Sequence, residues 1–235
     1  MTSFSFAQIG TIHSPYKEKF AVPRQPGLIE DGGGELHLHS PYNQPEAVRG
    51  LEEFSHIWVM FIFHQTMDGG WRPTVRPPRL GGNTRTGVFA TRSTFRPNPL
   101  GMSLIELKDI RCQGQNVILE LGSLDLVDGT PVVDIKPYLP FAESQPEARA
   151  GFAQSAPPAN MPVEFTPQAE QQLAANLSTH PNLRRFITQV LGQDPRPAYR
   201  KGEELARDYA VNLLEFNVRW RVVGELNQVL SLDKN

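Results

Sequence analysis

Apolar residues recur along the N-terminal part of the chain in short runs, not in long helical stripes. The runs are Phe4 to His13, Glu35 to His39, Ser55 to Phe63, Gly87 to Thr91, Ser103 to Ile110, Val117 to Leu121 and Val132 to Ile135. Turn-forming clusters separate them: SPY at 14–16, DGGG at 31–34, DGG at 68–70, PP at 77–78, GGN at 81–83 and VDGT at 127–130. Glycine in such clusters supplies positive φ, and Asp, Asn and Ser bond their own backbone. Short strands spaced in this way predict a closed or nearly closed β-barrel. Val117, Leu119 and Leu121 alternate with Ile118, Glu120 and Gly122, which assigns one buried face and one mixed face. Ile57 to Phe63 is apolar on both faces, so it is either covered twice or placed between subunits. A homodimer and a helix lying over the barrel both account for it.

The composition changes to Ala, Ser, Gln and Pro between Glu143 and Pro167, where Pro146, Pro157, Pro158 and Pro162 prevent regular helix. Beyond it, Thr166 and Pro167 form an N-cap and N1 pair, with Glu170 in the first turn of a helix reaching about Leu177. Pro181 opens a second helix, closed by Gly192 and Pro195. Strands return at Tyr209 to Leu213, Val218 to Val223 and Val229 to Leu232. The predicted fold is therefore mainly β. An N-terminal β-barrel domain (1–145) is followed by a linker (146–165) and a small C-terminal α+β domain (166–235).

A length of 235 residues accommodates one full domain and a smaller one. With 39% hydrophobic and 20% charged residues, the composition is that of an ordinary globular protein. Cys112 is the single cysteine, so no internal disulfide forms and nothing suggests an oxidising compartment. The N-terminus MTSFSFAQIG lacks a basic leader and an apolar core, and Ile57 to Phe63 is too short to span a bilayer. A cytoplasmic location is expected.

Charge alters this picture locally. The whole chain carries −2, which argues against coating nucleic acid through bulk positive charge. Yet Gly69 to Ile105 contains Arg72, Arg76, Arg79, Arg85, Arg92 and Arg96 with no Lys, Asp or Glu. Scattered surface charge normally mixes both signs, so this stretch points to an anion-binding face. In DPRPAYRKG (194–202), prolines flanking Arg196 restrict the backbone and would hold that side chain outward, beside Tyr199, Arg200 and Lys201.

Several kinds of chemistry lack support. No glycine-rich fingerprint joins a strand to a helix, so a doubly wound nucleotide fold is not expected. His37 and His39 share a strand face without a third ligand, which predicts no metal. There is no serine hydrolase elbow, and Cys112 sits in a polar turn without an assigned histidine. More suggestive are FHQTM (63–67), which puts His64 and Gln65 where a strand meets a loop, and LDLVDGTPVVDIKPY (124–138). The latter gathers Asp125, Asp128 and Asp134 with Lys136 and Tyr138 around one turn. Aspartates bonding the backbone explain part of that pattern. Asp134 and Lys136, two apart, would share a strand face and ease each other's partial burial.

The runs SPYKEKFAVPRQPG (14–27), VRGLEEFSHIWVMFIFHQ (48–65), RPPRLGGN (76–83), GVFATRSTFRPNPLGMS (87–103), GSLDLVDGTPVVDIKPY (122–138) and DPRPAYRKG (194–202) resemble the TsaA-like (TrmO) tRNA methyltransferases. The resemblance implies a β-barrel enzyme that binds S-adenosyl-L-methionine and works as a homodimer. It implies N6-methylation of N6-threonylcarbamoyladenosine (t6A) at tRNA position 37, beside the anticodon. The cofactor pocket it implies draws on Gln25, Pro26, Gly27, His64, Gln65, Arg92, Met102, Leu124, Asp125, Leu126 and Val127. Arg92 is the candidate to pair with the methionine carboxylate, because guanidinium offers a bidentate fork. The target nitrogen belongs to a urea-like group and needs a positioned base. Asp128 or Asp134 would accept its proton while Lys136 and Tyr138 orient the substrate. Arg76, Arg79, Arg85, Arg96, Arg196, Tyr199, Arg200 and Lys201 would hold the anticodon stem-loop by phosphate contacts and stacking. A non-catalytic RNA-binding barrel is the competing class. A small-molecule hydrolase using Asp128 or Asp134 as base ranks last, for want of a nucleophile or metal site.

Overall fold

The computed structural model describes residues 2–159, 161–196 and 206–235. Its N-terminal part holds β1 (Gly10–His13), β2 (Gly34–Leu38) and β3 (His56–Ile62), a two-residue ladder of β4 (Thr74–Val75) with β5 (Thr86–Gly87), and then β6 (Leu100–Gln113), β7 (Asn116–Leu121) and β8 (Pro131–Pro137). Six of these close a barrel in the order β1-β2-β7-β6-β3-β8, sealed by β8 pairing with β1. Every neighbouring pair in the barrel is antiparallel. Inward residues follow the period of two. Val117, Leu119 and Leu121 are buried, as are Ile57, Val59 and Phe61, and they meet Ile12, Leu36, Ile105 and Val132 in the core.

The outward side of β3 carries Trp58, Met60 and Ile62, all half-buried. Part of that cover comes from α1 (Pro140–Glu143), where Glu143 Oε1 accepts a 2.9 Å hydrogen bond from Trp58 Nε1. Two predicted strands are shorter than expected. The strand itself begins only at Gly10, with Ile9 ahead of it donating to Val132 O and accepting from the His39 N–H, both at 2.8 Å; Phe4 and Phe6 are left exposed. After Gly87 the chain turns into a 3-10 helix at Val88–Ala90, whose carbonyl at Val88 accepts from the Thr91 hydroxyl at 2.8 Å.

The C-terminal part begins with β9 (Val163–Phe165), which draws the end of the expected linker into a sheet. Thr166 caps α2 (Pro167–Ala175), its hydroxyl accepting from the Ala169 N–H, and Pro167 sits in the first turn, where a missing N–H costs nothing. In α3 (Leu183–Gly192), Leu183, Phe186, Ile187, Val190 and Leu191 form one buried stripe at helical spacing. Pro181 therefore precedes this helix by two residues. β10 (Arg207–Leu213), β11 (Phe216–Val223) and β12 (Leu226–Lys234) form an antiparallel meander, with β9 added parallel to β12.

The two parts are joined through the loop after β1. Leu214 N–H donates to Pro15 O at 2.8 Å, Tyr16 bridges Leu213, and the Tyr16 ring lies 5.8 Å from that of Phe186. Arg185 of α3 forks onto Asp31, and Gln189 Oε1 accepts from the Asp31 N–H at 3.1 Å. Residues 14–32 are thus shared property of barrel and α3 side.

Candidate active site

At one end of the barrel, the C-terminal end of β3, the start of β6 and three loops enclose a cavity of about 510 Å³. The loops supply residues 19–25, 91–96 and 125–130. Phe61 and Phe63, both on its lining, meet edge to face, with ring centroids 5.2 Å apart. Their packing requires glycine at position 101, since a Cβ there would come within 2.4 Å of the Phe61 ring. His64 follows directly, opening a 3-10 helix (His64–Gly69).

The segment after β7 is held down along its length. Leu124 N–H donates to Gly32 O at 2.9 Å, Asp128 N–H to Tyr16 O at 2.8 Å and Gly129 N–H to Ile12 O at 2.8 Å. Leu124 and Leu126 are buried in the core, and Asp125, Leu126 and Val127 contribute to the cavity wall. Asp125 is the only acid among the described residues of that wall, alongside the cations Lys19, Arg24, Arg92 and Arg96. Its Oδ1 is buried without a hydrogen-bond partner. Burial raises the Asp125 carboxyl to about 6, against the opposing pull of a Ser103 hydrogen bond and the Arg92 charge. Arg92 is exposed at the rim and donates to Gln25 Oε1. Opposite charges on one concave wall fit a ligand that itself carries both signs.

The sequence profile of the tRNA-methyltransferase O N-terminal domain matches residues 11–144, and that of the TrmO C-terminal domain matches 158–235. The chain belongs to the TrmO family of tRNA methyltransferases. The tRNA (adenine(37)-N6)-methyltransferase of Escherichia coli K12 is 68% identical over 233 residues, 99% of each chain. A putative S-adenosylmethionine-dependent methyltransferase, RcsF, of Pseudomonas aeruginosa is 46% identical over 92% of this chain and 91% of its own. The crystal structure of TrmO from P. aeruginosa superposes with a TM-score of 0.81 at 38% identity, covering 100% of this chain and 99% of that one.

Within this TrmO family member, Gln25, His64, Gln65, Arg92, Met102, Asp125, Leu126 and Val127 line the cavity together. Pro26, Gly27 and Leu124 are not part of its lining; the Gly27 N–H donates to the Ser123 hydroxyl at 3.0 Å. The polar cluster around the turn is divided. Asp128 lies outside the wall, its Oδ1 accepting from the Ser14 N–H at 2.9 Å and its Oδ2 from Lys17 Nζ at 2.8 Å. Asp134 accepts from the Ile135 N–H at 2.9 Å and from Lys136 Nζ at 2.6 Å on β8, also outside the cavity. Tyr138 packs edge-on against Trp58. Register connects this group to the rim, because Asp134 pairs with Met60 and Met60 with Met102. Two strand spacings put Asp134 about 10 Å from the cavity edge.

Of the arginines, Arg76 and Arg85 are exposed. Arg79 is bound to Ser155, and Arg96 donates to the carbonyls of Val88 at 3.2 Å and Thr91 at 2.7 Å, bracing the loop it sits on. Arg196, expected to project outward, is instead buried and forked onto Asp194 at 2.7 and 3.2 Å. Tyr199, Arg200 and Lys201 lie outside the described residues. Sequence reasoning missed Ser103, Lys19, Arg24 and Tyr16. Ser103 alone left a signal: it is a polar residue on the buried face that Ile105 and Leu107 occupy. Among the described residues no group of three His, Cys, Asp or Glu side chains could hold a metal ion, and no helix is long and apolar enough to cross a membrane.

Proposed function

We propose that this chain methylates N6 of N6-threonylcarbamoyladenosine at tRNA position 37, next to the anticodon, using S-adenosyl-L-methionine bound in the barrel-end cavity. Kinship along the whole length supports the reaction, and the observation that carries the site is the presence of Arg92 and a partnerless Asp125 oxygen on one wall. The cofactor, when bound, supplies a methyl group activated by a sulfonium. Arg92 binds its carboxylate, Asp125 faces its cationic part, and His64, Gln65 and the apolar Phe61, Leu126 and Val127 surfaces shape the remainder.

On the acceptor side, the nitrogen's lone pair is delocalised into the neighbouring carbonyl, so a base that takes its proton leaves the N–H electron pair on nitrogen to attack the methyl carbon. Both Asp128 and Asp134 carry two hydrogen bonds, but Asp134 suits this better: its side chain is the more exposed of the two, and its strand register leads through Met60 to Met102 at the rim. Lys136 on β8 and Tyr138 just after it orient the substrate over the rim. Arg76 and Arg85 take backbone phosphates. Arg79, Arg96, Arg196, Tyr199, Arg200 and Lys201 complete the tRNA-holding set, the described ones chiefly by bracing loops. The barrel (1–145) then performs transfer, and the α+β part (166–235), reached through 146–165, contacts tRNA. A homodimer, seated on the half-covered β3 face near the exposed Met102, and action in the cytoplasm complete this reading.

The test is transfer of labelled methyl from S-adenosylmethionine to bulk tRNA from cells able and unable to make t6A. Label confined to the t6A-containing tRNA is expected. Label in both, or tRNA binding with no label in either, overturns the assignment.

A further inference from the structure

Two buried oxygens lack hydrogen-bond partners: Asp125 Oδ1, on a residue of the cavity wall, and the Tyr16 hydroxyl. Tyr16 is fully buried, and its hydroxyl packs so closely over Gly32 that a Cβ there would come within 2.0 Å of it. Gly32 O in turn accepts from the N–H of Leu124, the residue preceding Asp125. Both orphan oxygens therefore belong to residues gathered about the Gly32–Leu124 backbone hydrogen bond. Burial, and after it the negative charge of Asp125, raises the Tyr16 phenol well above its ordinary range, so it remains a donor wherever the protein is folded. A buried donor and a buried acceptor left separately unsatisfied are each costly, whereas joined they satisfy one another.

We propose that Tyr16 is a positioning residue for the methyl-donor cavity: its hydroxyl donates to Asp125 through one bridging water and fixes the carboxylate facing the donor. The proposal rests on the donor occupying this cavity, as set out above. Tyr16 is itself held by the C-terminal part, through the Phe186 ring and the bridge to Leu213. Seating of that part thus reaches the cavity through one side chain. The other charged or titratable groups on the wall are Lys19, Arg24, His64, Arg92 and Arg96; of these, Arg92 is the one whose charge acts on Asp125.

The test is the Asp125 side-chain carboxyl signal, followed by NMR against pH in Tyr16→Phe and wild type, without cofactor. Loss of a donor to the ionised form raises the titration midpoint, by about one pH unit for a well-formed hydrogen bond. S-adenosylmethionine affinity, read by calorimetry, should be weaker in Tyr16→Phe at pH 7 and recover toward wild type at pH 8.5. A purely structural role would weaken it equally at both. An unmoved midpoint overturns the proposal. If Tyr16→Phe does not fold, Phe186→Leu, which loosens the seat, decides it: a smaller upward movement supports the coupling, and none overturns it. Wild-type protein that binds no S-adenosylmethionine would refute the cavity assignment, and the coupling would still be judged by the titration.

Discussion

Asparagine at position 125 should make the protein more stable at neutral pH while weakening the site. The native Asp125 carboxyl is raised from 3.8 to about 6 by burial. Below pH 4 the carboxyl is protonated in both folded and unfolded chains and costs nothing. Between pH 4 and 6 the unfolded chain ionises while the native chain keeps its proton, so wild-type stability falls as pH rises. Above pH 6 both are ionised and the cost levels off at about 3 kcal/mol. Asp125→Asn keeps the shape and cannot ionise. Its advantage over wild type should grow from near zero at pH 4 to about 3 kcal/mol by pH 7, less whatever its own buried amide leaves unpaired. Urea unfolding at a series of pH values, followed by fluorescence of Trp58, Trp71 and Trp220, measures the difference directly. A difference constant from pH 4 to 8, or one growing in wild type's favour, would refute the reasoning. The same variant should bind S-adenosylmethionine more weakly, a stability gain taken from a working group.

Arg92→Lys retains charge but loses the fork, and should weaken S-adenosylmethionine binding by about tenfold in calorimetry with melting unchanged. Asp128→Ala should lower unfolding stability by about 1–2 kcal/mol, through loss of its bonds to Ser14 and Lys17, yet spare single-turnover transfer on saturating tRNA. Asp134→Ala, which loses comparable bonds to Ile135 and Lys136, should by contrast also abolish that transfer; equal turnover loss in both variants would remove Asp134's role as base. Joint replacement of Arg76 and Arg85 by alanine should reduce the slope of log affinity for tRNA against log salt by about one per arginine, and an unaltered slope would detach them from the phosphates.

Alternation made the barrel legible. Val117, Leu119 and Leu121 could be assigned inward from the sequence because a pleated strand has a period of two. Propensity without a partner misled at Phe4 to Gln8, since a strand forms only where another lies beside it to take its backbone bonds. Thr166 and Pro167 were readable because capping is local, whereas β9 depends on β12, sixty residues away in the chain. The site divides along the same line. His64, Gln65 and Arg92 stood out through resemblance to a family. By contrast, the use of Asp128 to bracket Ser14 and Lys17 involves partners more than a hundred residues distant. Arg196 illustrates the opposite error: flanking prolines stiffen a backbone without saying where a side chain goes, and here Asp194 two residues away captures it.

Joining residues 15–17 to β10 does something beyond linking the two parts. A barrel has no open strand edge, but the four-stranded sheet has two, and one of them is only the three-residue β9. The longer edge belongs to β10, and its end is occupied by the contacts of Pro15 to Leu214, Tyr16 to Leu213 and Lys17 to Asn212. Peeled from the barrel, that end would present unpaired N–H and C=O groups flanked by Val211 and Leu213, a template on which another copy could add a strand. The barrel therefore serves its neighbour as a guard against self-association.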